Sequence, residues 1–383
     1  MIHKVVSPPI SQQKLRTILA MQEKLLGELC KTTVAGSDVT TAWVAAHLKA
    51  LGISDDWARK FANPRRKFLL GLMRAIADFP DVLKYRVKSD FAYDVAFDQA
   101  FSNPALRPYR LHGFASLLEV PKQTVHDFLT FFYDPTFYKS DGYLLPPDTG
   151  GPRFDKEMFL AEFHEANPKL RVCPLCDGYP EYEEVDHFYP KKLHPALSCH
   201  PLNLVPICKP CNSAANKGQV EPLSQPPTDP NAEWFHPYLS ALADWTQEER
   251  WPQERQFRIE FDTNSGELKL LSDDPQIKAR LKTTEDLLHL QSRWHDALRT
   301  KVRSMRSILR VHHQRLGRQL NEQDIIEKVQ DMADEVCGNI GNEPYGLVYS
   351  AYLKEASDAS TPFFQDLWDA AVDNSLTLPM PLS

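Results

Sequence analysis

The chain has 383 residues, 42% of them apolar and 25% charged, which describes a globular protein with room for about two or three domains. A formal net charge of -7 is mild evidence against a nucleic-acid-binding protein, although the charge is unevenly distributed along the chain. No run of about 18 apolar residues occurs, and the start MIHKVVSPPISQQ lacks the apolar core of a secretory leader, so a cytoplasmic protein that does not enter the membrane is expected.

Residues 1–150 read as a helical N-terminal domain. Apolar residues recur at helical spacing in SQQKLRTILAMQEKLLGELC, with Ser11 as the expected cap. Ser37 is the expected cap of a second helix ending near Gly52, and Pro64 and Pro121 stand where proline tolerates a first helical turn. Phe and Tyr are dense from Phe91 to Tyr143 and mark a packed core. The Pro- and Gly-rich YLLPPDTGGPRF (143–154) reads as a linker, followed by a short helix in DKEMFLAEFHEANP.

The next region, 151–240, carries the chemistry. Cys173 and Cys176 form one C-x-x-C, and Cys208 and Cys211 form another. In a reducing compartment such pairs read as metal ligands, and four thiolates suit a tetrahedral structural zinc. Thirty-one residues lie between the two pairs, so something is folded between them. Cys199 and His200 lie there too and compete as ligands, whereas Cys30 and Cys337 read as buried thiols. Glu183 to Phe188 reads as a strand ending in Asp186 and His187, Asn203 to Pro206 as a second strand, and Asn212 as the opening of a helix.

A Pro-rich stretch, EPLSQPPTDPN (221–231), precedes WFHPYL (234–239). The C-terminal region, 241–383, opens with QFRIEFDTNSGELKLLS (256–272), a β-hairpin turning at Asn264-Ser265-Gly266. Residues 278–318 are helical and the most basic part of the chain. They either track a nucleic-acid backbone or pair with the acidic helices that follow.

The texts VDHFYPK, NLVPIC and CN followed by KG resemble the HNH endonuclease family, its bacterial defence-associated members in particular. WFHPYL is similar to a segment that follows the module in several bacterial HNH proteins. The resemblance covers roughly 50 residues, about 80 with WFHPYL. It implies an α+β, mostly helical chain with a central zinc-stapled ββα-metal module between helical flanks.

It also implies roles. His187 activates the attacking water, which suits a side chain whose ordinary pKa is near neutral. Asp186 and Asn212 hold one magnesium or manganese ion, which prefers oxygen ligands. Asn203 steadies the loop that carries the histidine. Lys191 and Lys217 are the phosphate contacts, and the helix start at Asn212 adds free N–H groups for phosphate. In a regular strand Asp186 faces away from His187 unless a bend brings both inward. The third motif letter is Asn212 rather than His, and Lys217 follows it by five residues rather than three or four, so Asn216 competes for the outer role. His194, His200 and His236 are expected to bond locally.

The implied substrate is DNA, and the motif does not exclude RNA. No Walker motif is present, so control by a separate ATPase or sensor, or by homo-oligomerisation, is expected on family grounds. The competing reading is a zinc-stapled binding module without catalysis. Retention of Asp186, His187, Asn203 and Asn212 together favours the enzyme.

Overall fold

Helix α1 (Pro9–Leu29) begins two residues before Ser11, and its cap comes from far along the chain. The Glu162 carboxylate accepts from Ile10 N at 2.6 Å and Ser11 N at 2.7 Å, and the Ser11 hydroxyl also donates to it. A buried carboxylate thus satisfies the free donors of a helix start that has no capping side chain of its own.

The computed structural model describes residues 2–62, 67–102, 111–134, 154–220, 236–239, 257–262, 265–316, 318 and 321–372. The fold is α+β and mostly helical. After α1 come α2 (Thr41–Lys49), α3 (Asp55–Phe61), α4 (Lys67–Ala77), α5 (Asp81–Val95), α6 (Phe97–Ser102), α7 (Glu119–Phe131) and α8 (Lys156–Ala166). Thr40, not Ser37, caps α2, because Ser37 lies inside a short 3-10 turn at Gly36–Asp38. Pro121 sits in the first turn of α7. Pro64, the linker up to Arg153, the Pro-rich stretch 221–231 and Asn264 lie outside the described residues.

Strands β1 (Glu184–His187) and β2 (Leu204–Ile207) pair antiparallel, with Val185 opposite Pro206 and His187 opposite Leu204. A four-residue helix, α9 (Lys209–Asn212), follows. Asn212 therefore closes a helix rather than opening one, since the turn is nucleated at Cys208 and Pro210 sits in its first turn. The expected phosphate-binding helix start at Asn212 is absent.

A second pair, β3 (Arg258–Phe261) and β4 (Leu268–Leu271), forms the expected hairpin. Helices α10 (Pro275–Leu288), α11 (Leu290–Leu316), α12 (Glu322–Gly338), α13 (Gly346–Ala356) and α14 (Pro362–Val372) complete the chain. No helix among the described residues is long and apolar enough to cross a membrane.

The small sheet lies between two cores. Val185 and Leu204 join the core of the N-terminal helices, while Val205 and Ile207 join that of the C-terminal helices. Alternation along each strand produces this split. The packing also crosses the expected domain limits: Ile2 and Val5 belong to the C-terminal core, and Phe154 and Phe159 to the N-terminal one. His236 meets Phe188 edge-on at 4.5 Å between ring centroids, and the Tyr238 hydroxyl donates to the Leu204 carbonyl at 2.6 Å, so the HPYL half of the downstream motif packs onto the sheet.

Part of the basic stretch is spent internally. Lys282 faces Asp286, Lys301 faces Glu343, Arg306 faces Asp366 and Arg318 faces Asp324. Asp324 and Asp366 lie in the acidic C-terminal helices, and Glu343 lies in the turn between α12 and α13. The structure therefore supports charge pairing for these four residues rather than a continuous backbone-tracking stripe.

Replacing Glu162 with Ala removes the cap of α1 and is expected to cost about 2 kcal/mol in chemical denaturation. An unchanged midpoint would show that the cap is dispensable. Burial, helped by Arg16, pushes the His200 imidazole down to about 3 from its usual 6.5. The unfolded chain then binds a proton that the folded chain refuses. Stability is full above pH 6.5 and falls as pH drops through the window from 6.5 towards 3. Between pH 7 and pH 5 the wild type is expected to lose up to about 2 kcal/mol more than a His200→Gln variant. Equal losses would contradict this.

Candidate metal centre and adjoining cleft

The four motif cysteines are buried, and their sulfurs all lie within 4.8 Å of one another. Cys173 Sγ is 4.0 Å from Cys211 Sγ, and Cys176 Sγ is 3.8 Å from Cys208 Sγ. A disulfide needs about 2.05 Å. A tetrahedron with metal–sulfur bonds of about 2.3 Å has edges of about 3.8 Å, so the cluster is sized for one tetrahedral ion. Burial, then the neighbouring sulfurs, holds the Cys173 thiol well above its ordinary value, so in the absence of a cation this thiol stays protonated. Cys199 and His200 stand apart from this cluster, and Cys199 is packed instead in the N-terminal core.

The knuckles are held from three directions. Arg293 Nη1 donates to Cys211 Sγ at 3.3 Å, and the buried Trp294 Nε1 donates to the Cys176 carbonyl at 2.8 Å. Both project from α11. Asp177, in a left-handed conformation at φ 58°, accepts from Leu347 N at 3.0 Å and bonds His3 Nε2 at 2.6 Å. The backbone N–H groups of Ile2 and His3 both donate to Pro174 O. These contacts join residues far apart in the chain and leave no local sequence signal.

Beside the knuckles lies a cleft of about 710 Å³ lined by Glu184, Asp186, His187, Lys191 and Asn212, together with Tyr133 and Asp134. All four residues of β1 line it and none of β2 does, so it follows the edge of β1 that β2 leaves unpaired. An edge position explains how Asp186 and His187, successive strand residues, reach one cavity.

His187 is buried, and its Nε2 lies 3.0 Å from the Ser198 carbonyl. A carbonyl can only accept, so Nε2 carries the proton and Nδ1 keeps a lone pair. Burial, then the Lys191 charge, pushes this imidazole down to about 3, which keeps it neutral near pH 7 and makes it a weak base in the unfilled cleft. Asn203 is fully buried. Its Oδ1 accepts from Tyr189 N at 2.7 Å, and its Nδ2 donates to Tyr189 O and Leu197 O. It fastens both ends of the loop behind His187, the steadying part that the resemblance implies.

Asp186 is buried beside Lys217, with Nζ and Oδ2 2.6 Å apart. Lys217 is fully buried and donates to the His187 carbonyl at 2.7 Å. It therefore does not reach into the cleft as a phosphate contact would. It neutralises Asp186 and pins the backbone at His187. Burial raises the Asp186 carboxyl above its ordinary range, with Lys217 acting against that rise. Asn216 is occupied by the Pro210 carbonyl at 2.7 Å. Lys191 does line the cleft, where it pairs with Asp134 and lies 4.7 Å from the Tyr133 ring.

Glu184 escaped the reading of the motif. It lies two residues before Asp186, on the same strand face, and accepts from Asn212 Nδ2 at 2.6 Å. Strand alternation alone is the signal that could have found it. His194 and His200 lie in the loop behind the cleft and His236 packs beyond it, away from the lining.

No family model and no solved structure matches the chain. A stretch of 67 residues is 37% identical to the protein ea31 of Escherichia phage lambda. It spans 18% of this chain and 21% of that protein, so the likeness reaches about a fifth of each.

Elemental analysis of purified protein is expected to find about one tightly held metal ion per chain. Cys208→Ser should lose it and lower the melting temperature, and a strong chelator should do the same to the wild type. Metal-free protein with an unchanged melt would overturn the assignment.

Proposed function

We propose that the chain is a metal-dependent endonuclease of the HNH kind that hydrolyses phosphodiester bonds in DNA. The observation that carries this reading is the neutral, tethered His187, which shares one cleft with the oxygen donors Glu184, Asp186 and Asn212. Phosphodiester hydrolysis needs an activated water and charge stabilisation on the oxygens, and this cleft holds groups suited to both.

The four cysteines fit zinc in a structural role, since thiolates at these separations match its tetrahedral radius. Asp186 and Asn212, with Glu184 beside them, are the residues that would hold a second, hard ion such as magnesium or manganese. Two carboxylates and a carboxamide suit it, and its chemistry would be to polarise the phosphate and offset charge on the leaving oxygen. His187 takes the proton of the attacking water at Nδ1. Lys191 exchanges its Asp134 partner for a phosphate oxygen of the substrate. Lys217 keeps Asp186 in place and holds the His187 backbone.

One observation favours a second reading, a zinc-stapled nucleic-acid-binding module without catalysis. Lys217 already balances Asp186, which weakens the pull of that carboxylate on a divalent ion. Control by an ATPase or sensor, self-association, an antiviral role and RNA as substrate rest on the family resemblance alone, and a cytoplasmic location rests on the sequence pattern alone. Comparing cleavage with and without co-expressed neighbouring proteins tests the partner.

Wild-type protein with magnesium or manganese is expected to nick or linearise plasmid DNA. His187→Ala should reduce the rate by at least about 100-fold, with its zinc retained. Equal activity in both would remove His187 as the base. Binding of DNA without cleavage by the wild type, in either metal, would establish the second reading.

A further inference from the structure

We infer that the N-terminal helical region builds part of this cleft, with Tyr133 as a positioning residue for His187. The inference rests on reading His187 as the base, and its test separates the two. An imidazole is free to turn about its last torsion, a broad and roughly two-fold rotor, so something must hold the ring. Two contacts do so, and both lead back to the N-terminal helices.

The first contact is with Tyr133, two residues beyond the end of α7. Its ring meets the His187 ring edge-on, at 4.3 Å between centroids and 66° between planes. Tyr133 is itself 2% exposed, and its hydroxyl donates to the Val185 carbonyl of β1 at 3.3 Å. The aromatic wall is therefore fixed to the strand that carries His187.

The second contact is the Ser198 carbonyl that accepts from Nε2. Ser198 is fully buried, and its hydroxyl donates to Leu129 O of α7 at 3.1 Å. Gln22 of α1 donates to the same carbonyl at 2.8 Å and lies 3.4 Å from the Ser198 hydroxyl. Helices α1 and α7 thus hold the acceptor that selects the tautomer, while Tyr133 packs edge-on against the ring. A ββα unit cut away from residues 1–134 would lose both supports. A base must sit within about 0.5 Å of its productive place.

The test uses the full chain and compares Tyr133→Ala with Tyr133→Phe. Phe keeps the ring and loses only the hydroxyl. With plasmid DNA and manganese, Tyr133→Ala is expected to lower kcat about 10- to 100-fold with KM within about twofold, while Tyr133→Phe stays within about threefold of wild type. Both should keep their bound zinc. In parallel, long-range proton–nitrogen correlation on histidine-labelled protein reads the His187 ring directly. The wild type and Tyr133→Phe should show one tautomer protonated at Nε2, and Tyr133→Ala should show a mixture.

A wild-type kcat in Tyr133→Ala, or a change confined to KM, would overturn the inference. So would Tyr133→Phe being as damaging as Tyr133→Ala. If the wild type fails to cleave, the nuclease reading falls and the ring signal decides alone: a single tautomer lost only in Tyr133→Ala supports the positioning role, and one signal in all three proteins overturns it.

Discussion

Four sulfur atoms set the conditions for everything around them. Strands β1 and β2 have four residues each, and a two-stranded ladder of that length is not stable alone in water. The Cys173–Cys176 turn comes before β1, and Cys208–Cys211 follows β2 at once. A cation held by all four thiolates closes the segment between them into one loop. Its binding free energy then becomes folding free energy for the sheet. Asn212 is the residue after the last sulfur, so its place beside Glu184 depends directly on that closure.

The second constraint is the burial of charge and hydrogen-bonding groups beside the cleft. Asp186 and Lys217 are both deeply buried, and each makes the other tolerable. Removing one partner of such a pair typically costs about 3–5 kcal/mol, so their retention ties the site to the stability of the fold. His187 avoids the same penalty by staying neutral. Asn203 meets its hydrogen-bonding capacity almost entirely from backbone groups of one loop. The cleft is thus an open edge on a rigid base, which suits a site that must hold a base and oxygen ligands in a stable arrangement.

What could be read from the sequence was local. The C-x-x-C spacing pointed to a single cluster, and VDHFYP and NLVPI pointed to two strands, because ligand geometry and strand alternation act over a few residues. The helix at Asn212 failed because Pro210 and the knuckle nucleate the turn earlier. Ser11 looked like a cap because nothing nearby reveals that Glu162, 151 residues away, does that work. Lys217 read as a phosphate contact, and its burial beside Asp186 follows from packing that no spacing encodes. Tyr133, Gln22, Arg293 and Trp294 act on the module from segments that the motif does not include. Such contacts are legible only once the chain is folded.

The central claim is a division of labour between two metal sites, sulfur for the fold and oxygen for the chemistry. Anomalous diffraction from crystals grown with manganese tests it most directly. The account predicts a zinc-edge peak among Cys173, Cys176, Cys208 and Cys211, and a manganese peak about 2.2 Å from oxygens of Asp186 and Asn212. A manganese peak at the sulfurs, or none in the cleft at saturating manganese, would contradict it.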